Sequence, residues 1–387
     1  MLVHDRVHLR PFRWAGDLLT KLENSTAGGE MVQDTHADDL LTENSVGLYL
    51  IGRGLASTNP TRVTRLAGGV SNVVLACEFG QQKYVVKQSL ARLAVADEWL
   101  APTDRVITEA EAMKLVGKIL PKNVPQVFDQ DPARHAITLE LAPPAWADWK
   151  TFLMAGTVDS SVAHKLGEVI VRWHSATCFS PDLGSRLDDY EAFELLRIDP
   201  YYRTVALRVP QVAETMKILI DEMATRRFCL VHGDFSPKNI LISPEAALSG
   251  DSGSDDEAAL WVIDFEVAHR GDPVFDVAFM ATHLIIKSLA IRSNSDAFDD
   301  CLRLFLSSYS AGVDATSDEK RLVLLLDYGY LGRHVGALLL SRVHGKSPVG
   351  YLDEHSKQIA SRLGIDLLSH PLTTMNELFS RRNGLWS

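Results

Sequence analysis

The sequence predicts an α+β protein of two lobes, a small N-terminal lobe built on an antiparallel sheet and a larger, mainly helical C-terminal lobe. Three observations lead there. Short β-rich runs cluster ahead of residue 142. Leu141-Ala142-Pro143-Pro144 then breaks every regular pattern, because consecutive prolines continue neither a helix nor a strand interior. Beyond the break, helical periodicity dominates. At 387 residues and 46% hydrophobic content the chain is long enough for both lobes to bury a core. The expected divisions are an N-terminal extension over 1–36, an N-lobe over 37–142 and a helical C-lobe over 143–387.

In chain order, Met1-Leu2-Val3-His4-Asp5 carries an acidic residue early and opens no uninterrupted apolar core, so no secretory signal is expected. The extension is expected to be loosely attached, and Met31 offers an alternative start. The first helix is expected over 37–55. Ala67-Gly68-Gly69-Val70-Ser71-Asn72 then leads into β-rich runs at 73–79 and 83–88, a hairpin entered through a glycine turn. A helix over 104–120 follows, with Ala112, Leu115, Val116 and Ile119 on one face, and then short strands at 127–129 and 136–141. The C-lobe pattern predicts helices over 161–177, 211–226, 275–292, 296–308 and 319–343, with β-rich exceptions at 229–232 and 260–264. Between these exceptions, 243–259 is acidic and of low complexity, the composition of a surface loop between hairpin strands.

A net charge of -11 and a pI near 5.6 argue against a surface built for nucleic acid or anionic membrane, since both need basic patches. Cys77, Cys178, Cys229 and Cys301 are far apart and lack zinc-site spacing, which leads us to expect a reduced, cytoplasmic protein. Apolar stretches such as 322–326 and 335–340 fall well short of the roughly 20 residues that cross a bilayer, and no span is expected. The oligomeric state is open, a homodimer included.

The chemistry is carried by His232-Gly233-Asp234-Phe235-Ser236-Pro237-Lys238-Asn239 and by Ile263-Asp264-Phe265-Glu266. Phosphoryl transfer needs a carboxylate to orient the attacking hydroxyl, a divalent metal between the phosphates and a cation on the nucleotide. Asp234 follows the apolar run Cys229-Leu230-Val231 and is the expected base. Asn239, five residues on and stiffened by Pro237, can bring its side-chain oxygen back as a magnesium ligand. Asp264 and Glu266, at alternating positions after Trp261-Val262-Ile263, are expected to point to one side of an extended segment and attract Mg2+, which prefers oxygen ligands. Lys87 follows Tyr84-Val85-Val86 on a strand, where a buried lysine needs a partner. Glu109 and Glu111 compete for that role, and roughly 200° apart on a helix they cannot both take it.

Taken in order, these motifs resemble the aminoglycoside phosphotransferase superfamily, the kinase-like group that includes choline, homoserine and 5-methylthioribose kinases, over about residues 38–355. The resemblance implies a bilobal protein-kinase-like fold, ATP and Mg2+ as ligands, and a small-molecule hydroxyl acceptor. It implies a catalytic Asp234, metal ligands at Asn239 and Asp264, a loop shaped by His232 and Gly233, and Asp276 as its brace. It favours Glu109 over Glu111 as the partner of Lys87, the pair holding the α- and β-phosphates. Gly68 to Asn72, with Gly69, Ser71 and Asn72, would cover the phosphates, and Glu140-Leu141-Ala142 would be the adenine hinge.

Within the group the chain is most similar to 5-methylthioribose kinase, through Val86-Lys87-Gln88, Arg92, Glu98-Trp99-Leu100, Asp104-Arg105, Leu196 to Tyr202 and Asp264-Phe265-Glu266. It departs from that family in having Asn239, and in carrying Arg342, a substrate-contact candidate, without a second adjacent arginine. The expected activity is ATP-dependent phosphorylation of a sugar or amino alcohol, 5-methylthioribose among them. An aminoglycoside phosphotransferase and a nucleotide-binding pseudokinase or scaffold are the alternatives.

Overall fold

Asn72–Phe79 and Gln82–Ser89 pair residue by residue as the antiparallel hairpin β2–β3, in a computed structural model that describes residues 40–66, 71–90, 101–244 and 260–386. The expectations for the extension 1–36, for Gly68 and Gly69, for Arg92 and Glu98 to Leu100, and for the acidic tract beyond residue 244 lie outside the described residues. A short helix, α1 (Val46–Gly52), precedes β1 (Arg62–Arg65). With β4 (Val127–Asp131) and β5 (Ala136–Glu140) the strands form a five-stranded antiparallel sheet in the order β1-β2-β3-β5-β4. Lys87 on β3 stands opposite Val74 and Ile137. Helix α2 (Arg105–Ile119) packs beside β3, β4 and β5 through Val106, Ala110, Met113 and Val116, all buried.

Past Glu140 the chain leaves this sheet. Its next strand, β6 (Ala147–Asp148), joins β8 (Ile240–Ile242) and β9 (Leu260–Val262) in a second, three-stranded sheet. Leu141 to Trp146 therefore connects two sheets, and the double proline falls in the connection. The Asp148 side chain caps α3 (Trp149–Met154), and Asp159 caps α4 (Ser160–Thr177). A π-helix, Glu194–Arg203, carries Pro200 inside it and leads by short turns to α5 (Ala213–Thr225). Strand β7 (Cys229–Val231) pairs with β10 (His269–Gly271). The helical remainder is α6 (Pro273–Ala290), α7 (Ser295–Asp314), α8 (Asp318–Leu324), α9 (Tyr328–His344), α10 (Glu354–Ser369) and α11 (Met375–Gly384).

Helices α4 and α7 lie against each other at Gly167. A Cβ there would stand 3.0 Å from Tyr309 N and press closer still on Ser308 Oγ and Phe305 O, so the approach requires glycine.

The structure corrects two expectations. The helix expected over 319–343 is two helices, because Asp327 turns extended and its side chain accepts from Tyr330 N, capping α9. Two segments, Pro273–Ala290 and 318–344, do match a membrane span by length and composition, contrary to the reading that every apolar run is too short. Within the fold they are 89% and 61% buried, the first lining the core between α7 and α9.

Two core imidazoles make the fold acid-sensitive. Burial holds His269 down to about 4, and burial with Arg333 and Arg226 nearby holds His334 down to about 3. Both rings are neutral in the fold, whereas the unfolded chain protonates its histidines near 6.5. Their stabilising contribution is thus complete above about pH 6.5 and is lost as pH falls from there towards 4, by up to about 1.4 kcal/mol per histidine per pH unit. His334→Asn, whose amide can still pair with the Tyr202 hydroxyl now 2.8 Å from His334 Nδ1, should lose about 1–2 °C less melting temperature than the parent between pH 7 and pH 5.5. Equal losses in thermal scans would contradict this origin.

Candidate active site

The loop from His232 to Asn239 is fixed from below. Asp276, wholly buried in the first turn of α6, accepts from His232 N at 2.7 Å and Gly233 N at 2.9 Å, while His174 Nε2 stands 3.3 Å from it. Gly233 has φ +76°, and a Cβ there would lie 2.8 Å from Val267 O, so no other residue fits. His232 donates from Nε2 to Ile263 O and accepts from Asp234 N at Nδ1, which fixes its tautomer and ties the two motifs together. Burial keeps this ring below its ordinary pKa despite Asp276 and Asp234, so it works as a neutral strut. Phe235 and Phe265 pack edge-on against Trp173, anchoring both loops in one aromatic cluster.

Asp234 is 4% exposed and receives three donors. Arg197 Nη2 at 3.0 Å, Lys238 Nζ at 2.8 Å and Asn239 Nδ2 at 3.0 Å all fall on Oδ2, which leaves Oδ1 as the acceptor not used by these groups. Burial alone would raise the carboxyl, but Arg197 and Lys238 outweigh it and hold Asp234 below the usual carboxylate range, ionised at neutral pH. Asn239 also donates to Asp234 O at 2.9 Å. Its amide nitrogen thus faces Asp234, and its oxygen is turned to the other side.

Asp264 has φ +69°, a left-handed conformation that is uncommon outside glycine and concentrates at functional sites. This bend overturns the expectation of an extended segment with Asp264 and Glu266 on one side. Asp264 turns to Lys87, whose Nζ sits between it in a short contact and Glu109 at 2.6 Å. Lys87 and Glu109 are buried, and Asp264 is the open member of the triad. Burial would raise the Asp264 carboxyl, yet Lys87 and Lys238 keep it far below its ordinary value. Burial raises the Glu109 carboxyl to about 7 against the pull of Lys87. Glu111 lies outside the triad and pairs with Arg186 at 3.3 Å.

Glu266 bonds to a different set of partners from Asp264. Its carboxylate accepts from Ser71 Oγ at 3.0 Å, Asn72 Nδ2 at 2.9 Å and Arg105 Nε at 3.1 Å. Arg105 is 1% exposed and also donates to Pro102 O at 2.8 Å, to Leu90 O at 3.1 Å and, in a short contact, to Ser71 O. Ser71 and Asn72, expected at the phosphates, are therefore clamped to the catalytic side of the molecule through Glu266 and Arg105. Glu140 ends β5 with Gln126 N on its carboxylate at 3.2 Å, and Ala142 lies two residues into the connection between the sheets.

Asp234, Asn239, Asp264, Lys87 and Glu109 are thus brought into one site, and Gly69 is outside the described residues. Glu266 serves the clamp, where a metal would have to displace three donors. Arg105 and Arg197 escaped the sequence reading as site residues. An arginine in the first turn of a helix, where the dipole disfavours a cation, was the available signal for Arg105.

The donor set suits a hard cation. Asn239 Oδ1 and the Asp264 carboxylate are oxygen ligands, and among the described residues no three His, Cys, Asp or Glu side chains form a complete metal cage. Such a pair matches Mg2+, which is commonly held by one or two carboxylates with substrate phosphates completing the shell.

Comparison with known proteins places this geometry. The sequence pattern described as APH, Phosphotransferase enzyme family, matches residues 62–296, the stretch that holds Lys87, Glu109, Asp234, Asn239 and Asp264. The chain is 22% identical over 277 residues to the 4-hydroxytryptamine kinase of Psilocybe cyanescens, covering 62% of this chain and 72% of that one. It is 23% identical over 358 residues to the methylthioribose kinase of Bacillus cereus (strain ATCC 10987 / NRS 248), covering 79% and 86%. Among solved structures, amicoumacin kinase hAmiN in complex with AMP-PNP, Ca2+ and Ami superposes with a TM-score of 0.53 at 13% identity, over 88% of this chain and 97% of the other. That likeness extends to the fold, an antiparallel N-terminal sheet followed by a helical body in the kinase-like arrangement.

Proposed function

The chain belongs to the phosphotransferase enzyme family, and from that premise we propose that it moves the γ-phosphate of ATP to a hydroxyl of a small molecule. One observation carries this reading: Asp234 is ionised and buried, with every donor from Arg197, Lys238 and Asn239 on Oδ2, so that Oδ1 remains to accept a hydroxyl. Lys87, held by Glu109, supplies the cation for the α- and β-phosphates, and Ser71 and Asn72 close over them from the clamp. Asn239 Oδ1 and Asp264 would hold Mg2+, which when bound neutralises charge on the phosphates.

As the acceptor oxygen bonds to the γ-phosphorus, the bond from that phosphorus to the β,γ-bridging oxygen breaks. The hydroxyl proton passes to Asp234 Oδ1, and ADP leaves. A held-down carboxylate suits this step, because a loose transition state asks for orientation of the hydroxyl more than for strong basicity.

The curated relatives are kinases of 4-hydroxytryptamine and of methylthioribose, both small hydroxylated molecules. The reading predicts acceptor-dependent ADP release with Mg-ATP from at least one member of a panel of methylthioribose, pentoses, hydroxy acids, sugar phosphates, amino alcohols and aminoglycosides. Nucleotide binding without acceptor-dependent ADP release across the panel would replace the enzyme reading with the scaffold.

A further inference from the structure

Beside Asp234 the fold gathers cations that its own carboxylates do not neutralise. Arg197, on the π-helix, reaches Asp234 and lies over the Tyr201 and Phe279 rings at 5.6 and 5.9 Å, which are themselves stacked 6.2 Å apart. Arg342, near the end of α9, meets the same Tyr201, with Nη1 3.3 Å from its hydroxyl. Its Nε is buried without a hydrogen-bond partner. One turn along α6 from Phe279 comes His283, ring to ring at 5.1 Å, and one turn further comes Lys287. Lys287 is 1% exposed, and the hydrogen bond found for its Nζ is a long one, 3.4 Å, to His283 O. Lys150 opens from α3, which packs against the turn Pro237–Asn239, and its Nζ stands 6.0 Å from the Tyr351 ring.

Arg342, Lys287 and Lys150 form no ion pair among the described residues. They also act on one another: His283 is held well below its ordinary value by burial and then by Lys287, Arg342, Lys238 and Lys150. Lys287 is pushed down to about 7 by burial, Lys150 and Arg342, which together outweigh the opposing pull of Asp148. The carboxylates nearby are committed elsewhere, Asp148 to capping α3 and Asp199 to Lys346 at 2.6 Å. A buried, uncompensated cation is costly unless a counter-charge arrives.

We propose that the acceptor is a small hydroxylated anion, its carboxylate or phosphate group held by Arg342, Lys287 and Lys150 while its hydroxyl meets Asp234. This deepens the reading under Proposed function and rests on it. A cationic amino alcohol or aminoglycoside would meet like charge in the same place.

Calorimetric titration of the full chain, with the nucleotide site filled by Mg-AMP-PNP, tests the proposal. Ribose 5-phosphate is compared with ribose, glycerate with glycerol, and kanamycin serves as the cationic probe. At least one anion should bind about tenfold or more tightly than its neutral counterpart, and the pair that responds distinguishes a phosphate from a carboxylate ligand. Arg342→Ala should abolish the preference. Lys150→Glu, at an exposed position that spares the fold, should weaken it. Anions binding no better than their neutral counterparts, kanamycin binding more tightly than either anion, or both variants keeping the parent's affinity would overturn the proposal. Because binding is read without turnover, an anion that binds but is never phosphorylated counts against the transfer reaction and leaves the anion site standing.

Discussion

Asp234→Asn should lower kcat by about 10²–10⁴-fold, the range associated with loss of a positioned general base. The substitution keeps the shape of the side chain and the hydrogen bond that Oδ2 receives from Asn239, and it removes the charge that draws the acceptor hydroxyl to Oδ1. Arg197 would lose its ion pair, yet it still donates to Gly233 O at 2.8 Å and to Leu196 O at 2.7 Å, so the fold should survive. Single-turnover ADP formation with a working acceptor, read beside a melting curve, separates chemistry from unfolding. A kcat within about threefold of the parent in a folded protein would remove Asp234 from the chemistry, since loss of a general base should cost far more.

Arg105→Ala should cost about 3–5 kcal/mol of stability, the usual penalty for removing one partner of a buried ion pair. Arg105 is fully buried and gathers Glu266, Pro102, Leu90 and Ser71, so its loss strands a carboxylate and several carbonyls together. Arg105→Lys should recover little, because one ammonium cannot reproduce the guanidinium fork. Urea denaturation of the two variants gives the energies. In any fraction that stays folded, the KM for ATP should rise, because Ser71 and Asn72 lose their anchor. A stability change below about 1 kcal/mol, the scale of a surface ion pair, would show that the clamp is replaceable.

Much of this site is legible in the amino-acid sequence. The motif order placed Asp234 and Asn239 on one loop, and Lys87 on a strand demanded a buried partner that Glu109 supplies. The sheet was readable because two β-rich runs, 73–79 and 83–88, flank the turn Gly80-Gln81-Gln82. What escaped has physical reasons. Strand alternation assigns a side to Glu266 only while the backbone stays extended, and residue type gives only a weak sign of the left-handed turn at Asp264, since Asp, though enriched there, mostly occupies ordinary conformations. Asp327, an acidic cap inside an apolar helical pattern, was available as the sign that 319–343 is two helices. Arg105 was hidden because its partners, Ser71, Leu90 and Glu266, are distant in sequence.

The bracing by Asp276 bears on how such an enzyme changes its substrate. The catalytic loop owes its shape to a carboxylate at the start of α6 that grips two main-chain amides, a hold that uses none of the acceptor-facing cations. The cations facing the acceptor come from other places: the far turns of α6, the end of α9 and the exposed start of α3. Mutations there can accumulate and redirect acceptor choice while the transfer machinery is inherited intact, so new specificity is open to single steps that each leave a working catalyst.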